Sequence, residues 1–179
     1  TSFRNGPQQL GIASGPLPEK LELLWEHPAP DGVAGTAAIA GGRTYVGTID
    51  GRLLCLELRT GKPVWEYLSL ESDDPETFLP GFQTPVTLTA ELVLAGDEEG
   101  TLHAVDRETG QRRWSVATDG EMVGGATVVK DRVIFGSHAQ RLLCCRLSDG
   151  STVWEFDTQG PVNGSQAIGD GAPAGLCGS

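Results

Sequence analysis

The chain has 179 residues, of which 39% are hydrophobic and 21% charged, and its formal net charge is −11 at pH 7. This length is sufficient for one domain with a hydrophobic core. The negative charge argues against a nucleic-acid-binding surface, which needs clustered Lys and Arg, and no apolar run is long enough to predict a transmembrane helix.

Tryptophans mark the organisation of the chain. They recur at near-constant spacing: Trp25, Trp65, Trp114 and Trp154. The intervals of 40, 49 and 40 residues are typical of stacked supersecondary units. Each of the last three tryptophans ends a hexamer with glycine in second place, at residues 60–65, 109–114 and 149–154. The sequence therefore predicts three repeats, preceded by one unpaired or ring-closing outer strand around Trp25.

Each repeat is predicted to contain four short strands, the last of which carries the tryptophan. In the first repeat the other three strands are residues 36–40, 44–47 and 53–58. In the second they are 86–89, 92–96 and 102–106, and in the third 126–129, 133–136 and 142–147. Asp-Gly or Glu-Gly between the second and third strands of the first two repeats is a hairpin signal, and no segment shows a helical period.

Four-stranded units that repeat every 40 to 45 residues are typical of propeller blades. The sequence therefore predicts an all-β protein, a β-propeller of four-stranded antiparallel blades, present as a partial arc of about three and a half blades. The expected divisions are an N-terminal segment at 1–27, blades at 28–67, 68–117 and 118–157, and a truncated or degenerate fourth blade at 158–179. An acidic insertion at 68–82 lengthens the middle interval.

One stretch of the second repeat resembles a known motif. Ala104, Asp106, Thr109, Gly110 and Trp114 hold the relative places of the tryptophan-docking motif of the PQQ-like repeat, found in propellers of the quinoprotein alcohol dehydrogenase type. The other two copies match this motif in part, and the resemblance extends over residues 20–170. It implies that the motif residues dock blades together and are not catalytic.

The docking residues named by this resemblance come from all three repeats: Trp65, Trp114, Trp154, Gly61, Gly110, Gly150, Thr60, Thr109, Asp106 and Ala104. The three glycines are expected to have positive φ in a turn, and the tryptophans are expected to be packed in the core between blades. No catalytic, cofactor-binding or metal-binding residue is predicted, because the three histidines are scattered and no nucleophile or phosphate-binding motif occurs.

Two functions follow from the resemblance. The first is a non-catalytic scaffold that binds a protein or peptide in the bacterial periplasm or cell envelope, as in the propeller lipoprotein of the outer-membrane β-barrel assembly machinery. The alternative is a fragment of a PQQ- and Ca²⁺-dependent quinoprotein alcohol dehydrogenase whose active-site blades lie elsewhere. An open arc also leaves bare sheet faces, so we expect it to meet the missing blades of the same propeller or to self-associate.

Cysteines bear on the choice between these functions. Quinoprotein dehydrogenases carry a vicinal disulfide against the quinone, and this chain has the pair Cys144 and Cys145. The pair falls within a predicted strand, where neighbouring side chains point to opposite faces, so buried free thiols and no bound cofactor are expected. Free thiols fit a reducing compartment, which keeps the cytoplasm open as an alternative location.

Overall fold

The computed structural model describes residues 19–72, 74 and 76–166. Over these residues the chain forms twelve strands in three four-stranded antiparallel sheets, without a helix. The prediction of an all-β fold built from four-stranded antiparallel blades is confirmed. Predictions that fall on residues 1–18 and 167–179, which include most of the expected fourth blade, lie outside the described residues.

Each blade is a meander whose strands pair in chain order. The first blade contains β1 (Ala38–Ala40), β2 (Arg43–Gly47), β3 (Arg52–Glu57) and β4 (Pro63–Leu68). The second contains β5 (Thr87–Leu88), β6 (Leu92–Gly96), β7 (Thr101–Asp106) and β8 (Arg112–Ala117). The third contains β9 (Thr127–Val129), β10 (Arg132–Ser137), β11 (Arg141–Arg146) and β12 (Thr152–Asp157). The first strand of each blade is shorter than the sequence predicted, with two residues in β5.

The core lies between the sheets. One cluster of buried side chains joins the first blade to the second and includes Tyr45, Leu53 and Val93. A second cluster joins the second blade to the third and includes Leu102 and Phe135. Because a middle blade is covered on both sides, its strands bury consecutive residues, as in the fully buried β6, instead of alternating apolar with polar positions.

A glycine near the end of each second strand allows the blades to pack closely. A Cβ atom at these positions would lie far inside contact distance of a side chain from the segment that follows the fourth strand of the same blade. The close approaches are Gly47 with Phe82 at 2.5 Å, Gly96 with Met122 at 2.9 Å and Gly136 with Val162 at 2.4 Å. The same residue type at the same repeat position therefore sets the same blade spacing.

The pairing of the third and fourth strands is irregular at one place in every blade. The register shifts after Cys55, Ala104 and Cys144, which lie opposite Trp65, Trp114 and Trp154 respectively. Each shift leaves one extra residue in the outer strand, directly before the tryptophan. A bulge of this kind increases the local twist of the strand, and its repetition gives the three indoles equivalent positions.

At both edges of the arc, the structure has no strand where the sequence predicted part of a blade. Residues 21–29 form no strand, although an outer strand was expected around Trp25. A strand requires a hydrogen-bonded neighbour, and this segment follows no other strands of its own blade within the described residues. Residues 158–166 likewise form no strand, but they contact the third blade, where the N–H of Val162 donates to the carbonyl of Ser137 at 3.1 Å.

Candidate functional site

Three tryptophans, Trp25, Trp65 and Trp114, each lie against the hexamer turn of the following blade. Three indole N–H groups donate across the interface to a backbone carbonyl: Trp25 to Leu58 at 2.8 Å, Trp65 to Arg107 at 3.1 Å and Trp114 to Leu147 at 3.0 Å. Each accepting carbonyl lies three residues before the hexamer glycine. Consecutive units are thus joined at their outer edges by the same contact.

The hexamer glycines provide the surface on which these indoles lie. Their φ angles are +69° at Gly61, +76° at Gly110 and +73° at Gly150, as the sequence predicted. A Cβ atom would lie 2.6 Å from Trp25, 2.8 Å from Trp65 and 2.7 Å from Trp114, respectively. Both the left-handed backbone and the indole therefore oppose any larger residue. How much these residues contribute to stability stays a prediction.

Asp106 organises the turn that receives Trp65. Its Oδ1 accepts hydrogen bonds from the N–H groups of Glu108 at 3.0 Å and Thr109 at 2.8 Å and from the Thr109 hydroxyl, while Arg113 donates to Oδ2 at 2.7 Å. These contacts, first among them the Thr109 N–H, lower the pKa of Asp106 to about 2. Ala104 is fully buried opposite Trp114. The second repeat thus has the most complete set of turn contacts.

The other two turns are held by different side chains. In the first blade the Thr60 hydroxyl donates to the Glu57 carboxylate. In the third blade Asp149 accepts a hydrogen bond from the N–H of Ser151 at 2.8 Å, and contacts with Ser151 lower the pKa of this carboxyl. The departures from the motif that are visible in the sequence therefore change the turn contacts without removing the glycine or its φ.

Trp154 differs from the three tryptophans before it. Its indole nitrogen is buried, yet it has no hydrogen-bond partner within the part of the chain that the structure describes. Phe156, two residues further along β12, is 60% exposed. The repeat position occupied by Phe156 is held by Tyr67 in the first blade, where the side chain is buried at 8% exposure. Within the described residues, Trp154 therefore does not make the interblade hydrogen bond that the three earlier tryptophans make.

A buried polar cluster lies between the first and second blades. His103 on β7 has its Nε2 atom 2.9 Å from Oδ2 of Asp97 and its Nδ1 atom 2.9 Å from the hydroxyl of Tyr67 on β4. The side chains of His103 and Asp97 are each 3% exposed. Burial raises the pKa of Tyr67, so its hydroxyl keeps its proton and can donate to the imidazole.

Sequence reasoning did not find this cluster, because the three histidines are scattered along the chain. The remaining oxygen of Asp97 accepts the N–H of Thr101 at 2.7 Å, and the ring of Phe82 packs edge-on against His103 at 5.2 Å. Alignment of the three repeats would have singled out His103 in the sequence. His103 stands where the first and third blades have Leu54 and Leu143. A charged or polar residue at a repeated leucine position predicts a polar partner.

The described residues do not fit the quinone site of a dehydrogenase. Cys144 and Cys145 both lie within β11, and both are buried. They face different partners, Trp154 and Thr152, on the neighbouring strand. Burial raises the pKa of Cys145, which keeps this thiol protonated. A strand that points neighbouring side chains to opposite faces cannot close a vicinal ring, so the vicinal disulfide that would contact a quinone is not formed here.

Metal ligation and membrane insertion find no support in the described residues. Among them, no group of three or more His, Cys, Asp or Glu side chains is arranged to hold a metal ion. The described part of the chain also contains no helix long and apolar enough to cross a membrane. The features with the most defined geometry are therefore the interblade contacts.

Comparison with known proteins points to one family of propellers. A family model described as outer membrane protein assembly factor BamB matches residues 19–170. BamB of Shewanella oneidensis is 26% identical over 149 residues, which cover 78% of this chain and 38% of that protein. The quinohemoprotein alcohol dehydrogenase ADH IIB of Pseudomonas putida is 28% identical over 155 residues, which cover 84% of this chain and 21% of that protein.

A solved structure shows the same fold. The crystal structure of BamB from Moraxella catarrhalis matches with a TM-score of 0.60 and 23% identity, over 74% of this chain and 39% of that one. The chain therefore spans well under half the length of the proteins it matches. The match shows that the three sheets are part of a propeller.

Proposed function

The chain belongs to the family of outer membrane protein assembly factor BamB, a PQQ-like propeller repeat family, and from this premise we propose that it acts as a non-catalytic propeller scaffold that binds other proteins. The supporting observation is the use of the motif residues. The hexamer glycines and three of the four tryptophans are occupied by contacts between blades. The loops that join the strands are left as the surface for partners, as is usual for repeat folds.

The proposed location is the bacterial cell envelope. Three relatives are named outer membrane protein assembly factors, and the outer membrane is part of this envelope. The cysteines of this chain are compatible with this location, because Cys55, Cys144 and Cys145 are buried. Buried thiols are protected from oxidation, so their presence does not require a reducing compartment.

We further propose that the arc continues into another blade. Trp25 packs on Gly61 and Trp114 packs on Gly150, and in both pairs the tryptophan precedes the glycine by 36 residues in the sequence. Within the described residues, the buried indole nitrogen of Trp154 has no hydrogen-bond acceptor. A further blade of the same propeller, or a second copy of the chain, would supply the carbonyl and the glycine surface that the Trp154 indole requires.

A fragment of a quinone-dependent alcohol dehydrogenase is the second candidate, favoured by the 28% identity over 84% of the chain. The strand position of Cys144 and Cys145 counts against it, since these residues cannot form the vicinal disulfide that resemblance to that enzyme implies. Under this alternative the quinone would be bound by blades outside this sequence.

One experiment separates the two functions. The full-length protein containing this chain is produced in the envelope with a photo-crosslinking residue at exposed Glu99, and the purified protein is assayed for dye-linked ethanol oxidation with added PQQ and Ca²⁺. The scaffold proposal predicts a specific adduct with another envelope protein and no quinone-dependent oxidation. Oxidation that requires added PQQ, without an adduct, would select the dehydrogenase.

A further inference from the structure

Charge is distributed unequally between the two ends of the blades. Antiparallel strands bring the loops 48–51, 69–86, 97–100, 118–126 and 138–140 to one end of the arc. We call this end the acidic rim. These five loops contain ten acidic residues and no Lys or Arg. In chain order the loops have one, four, three, two and no acidic residues. The opposite end is formed by the loops 41–42, 58–62, 89–91, 107–111, 130–131 and 147–151. These loops contain four acidic and four basic residues.

The loops of the acidic rim form a continuous surface. Glu98 accepts hydrogen bonds from the N–H of Gly81 at 2.8 Å and from the amide of Gln83 at 2.9 Å, which joins two loops. Further along, Nδ1 of His138 lies 3.2 Å from Glu121. These contacts hold loops from neighbouring blades side by side, so their charges act together on a partner.

Exposed apolar side chains occur among these charges. Of the large hydrophobic residues that are exposed, four lie in loops of the acidic rim: Ile49 at 38%, Leu70 at 46%, Phe78 at 65% and Val123 at 38%. None of the exposed large hydrophobic residues lies in the described loops of the opposite end. Exposed apolar residues ringed by polar ones are typical of protein-binding surfaces.

The cations near the acidic rim are already paired. Arg52 donates to Asp50 at 2.8 Å and also contacts Glu66, and Arg141 lies 3.6 Å from Glu155. Exposed Glu71, Glu99 and Asp119, in contrast, form no ion pair with any residue that the structure describes. The rim therefore has negative charge that its own side chains do not neutralise.

A buried hydroxyl at this rim also lacks a partner. Ser69 is 7% exposed, and its Oγ makes no hydrogen bond within the described residues. The equivalent Thr118 and Thr158 donate to the carbonyls of Gly120 and Gly160 in their own loops. Ser69 begins the loop that carries Leu70 and Phe78. The base of the most apolar part of the rim therefore contains a buried hydroxyl without a hydrogen-bond partner among the described residues.

We propose that the acidic rim binds a basic protein segment that also carries aromatic or aliphatic side chains. The proposal rests on the proposed scaffold function and specifies its surface and the chemistry of its partner. Lys or Arg of the segment pairs with the free carboxylates, and its apolar side chains pack on Leu70, Phe78 and Val123. Charge attraction speeds the encounter, while burial of the apolar contacts slows dissociation.

The test uses the whole chain and a fluorescent peptide composed of Lys, Phe and Gly, with a second peptide in which Glu replaces Lys. The rim variant E71Q/E99Q/D119N is compared with E19Q/E26Q/E91Q, which removes the same charge from exposed carboxylates outside the rim. The rim variant is expected to weaken binding of the basic peptide about tenfold and the control less than about twofold. Phe78→Ser is expected to weaken it further, and Val64→Ser at the other end is not.

Cross-linking of the bound peptide provides an independent readout that does not depend on folding of the variants. Adducts within 69–86 and 118–126 are expected. Equal loss of binding in the two charge variants, or adducts at the opposite end, would overturn the rim assignment while leaving the scaffold proposal standing. Preferred binding of the acidic peptide, or no binding of either, would also overturn it. The scaffold proposal itself fails separately, through quinone-dependent oxidation.

Discussion

The two interfaces between blades use the same framework but different chemistry. Between the first and second blades, Tyr67, His103 and Asp97 form a buried hydrogen-bonded cluster. Between the second and third blades, the positions equivalent to Tyr67 and His103 hold the apolar residues Val116 and Leu143. The repeated tryptophan and glycine therefore set blade spacing, while the residues inside each interface are free to differ.

This difference indicates how neighbouring blades are matched. An apolar interface accepts any surface of suitable shape, whereas a buried polar group is tolerated only where its partner is present. If Leu143 of the third blade faced Tyr67, the phenol would lose its imidazole acceptor. We therefore interpret the polar cluster as a device that favours correct pairing of the first two blades, at no gain in stability over an apolar equivalent.

The largest expected effect is at the apolar interface. Trp114 is 8% exposed and is packed on Gly150, so Trp114→Ala should destabilise the chain by about 3–5 kcal/mol through loss of the indole and an unfilled cavity. Trp65→Ala should cost less, because Trp65 is less deeply buried. Urea denaturation measures both, with exposed Ser115→Ala as a control that changes stability by less than about 0.5 kcal/mol. Equal midpoints for Trp114→Ala and Ser115→Ala would disprove the docking role.

At the polar interface, His103→Leu should cost about 3 kcal/mol, because it leaves the Asp97 carboxylate buried without its imidazole partner. Converting the whole cluster to the residues of the apolar interface, as Tyr67→Val, Asp97→Ser and His103→Leu together, should recover most of this loss. The same denaturation measurement applies. A triple variant less stable than His103→Leu would show that the cluster contributes net stability, contrary to our interpretation.

Tyr67→Phe provides a milder change at the same interface. It removes the hydroxyl that donates to His103 and keeps the aromatic packing against Phe82. A loss of about 1 kcal/mol is expected, as for a single buried hydrogen bond. The matched control is Phe156→Tyr at the exposed equivalent position, which should leave the free energy of unfolding unchanged.

The smallest effect concerns the turn on which Trp65 docks. The pKa of Asp106 is lowered to about 2 by its hydrogen bonds with Thr109 and Arg113, whereas an unfolded Asp has a pKa of about 3.9. Because the folded value is depressed, this stabilisation is complete above about pH 4 and is lost as the pH falls towards 2. Asp106→Asn should reduce the acid sensitivity of unfolding in that window. An unchanged pH profile would show that the turn contacts contribute nothing.

The repeated features were predictable from sequence, and the unique ones were not. The hexamer spacing predicted the strands and the positive φ of Gly110, because a turn of fixed length recurs with the same residues. The cluster of Tyr67, His103 and Asp97 was missed because its members come from two blades, up to 36 residues apart. Repeat periodicity gives positions within a blade, whereas contacts between particular side chains depend on how adjacent blades face each other.

The central claim is that Trp25, Trp65 and Trp114 dock on the next blade and that Trp154 has no such partner within the described residues. Hydrogen exchange of the indole N–H groups, followed by NMR, tests it directly. We predict slow exchange for Trp25, Trp65 and Trp114, whose N–H groups are hydrogen-bonded across the interfaces, and faster exchange for Trp154, whose N–H is buried but has no hydrogen bond among the described residues. Equal protection of all four indoles, or fast exchange at Trp65 and Trp114, would contradict the account.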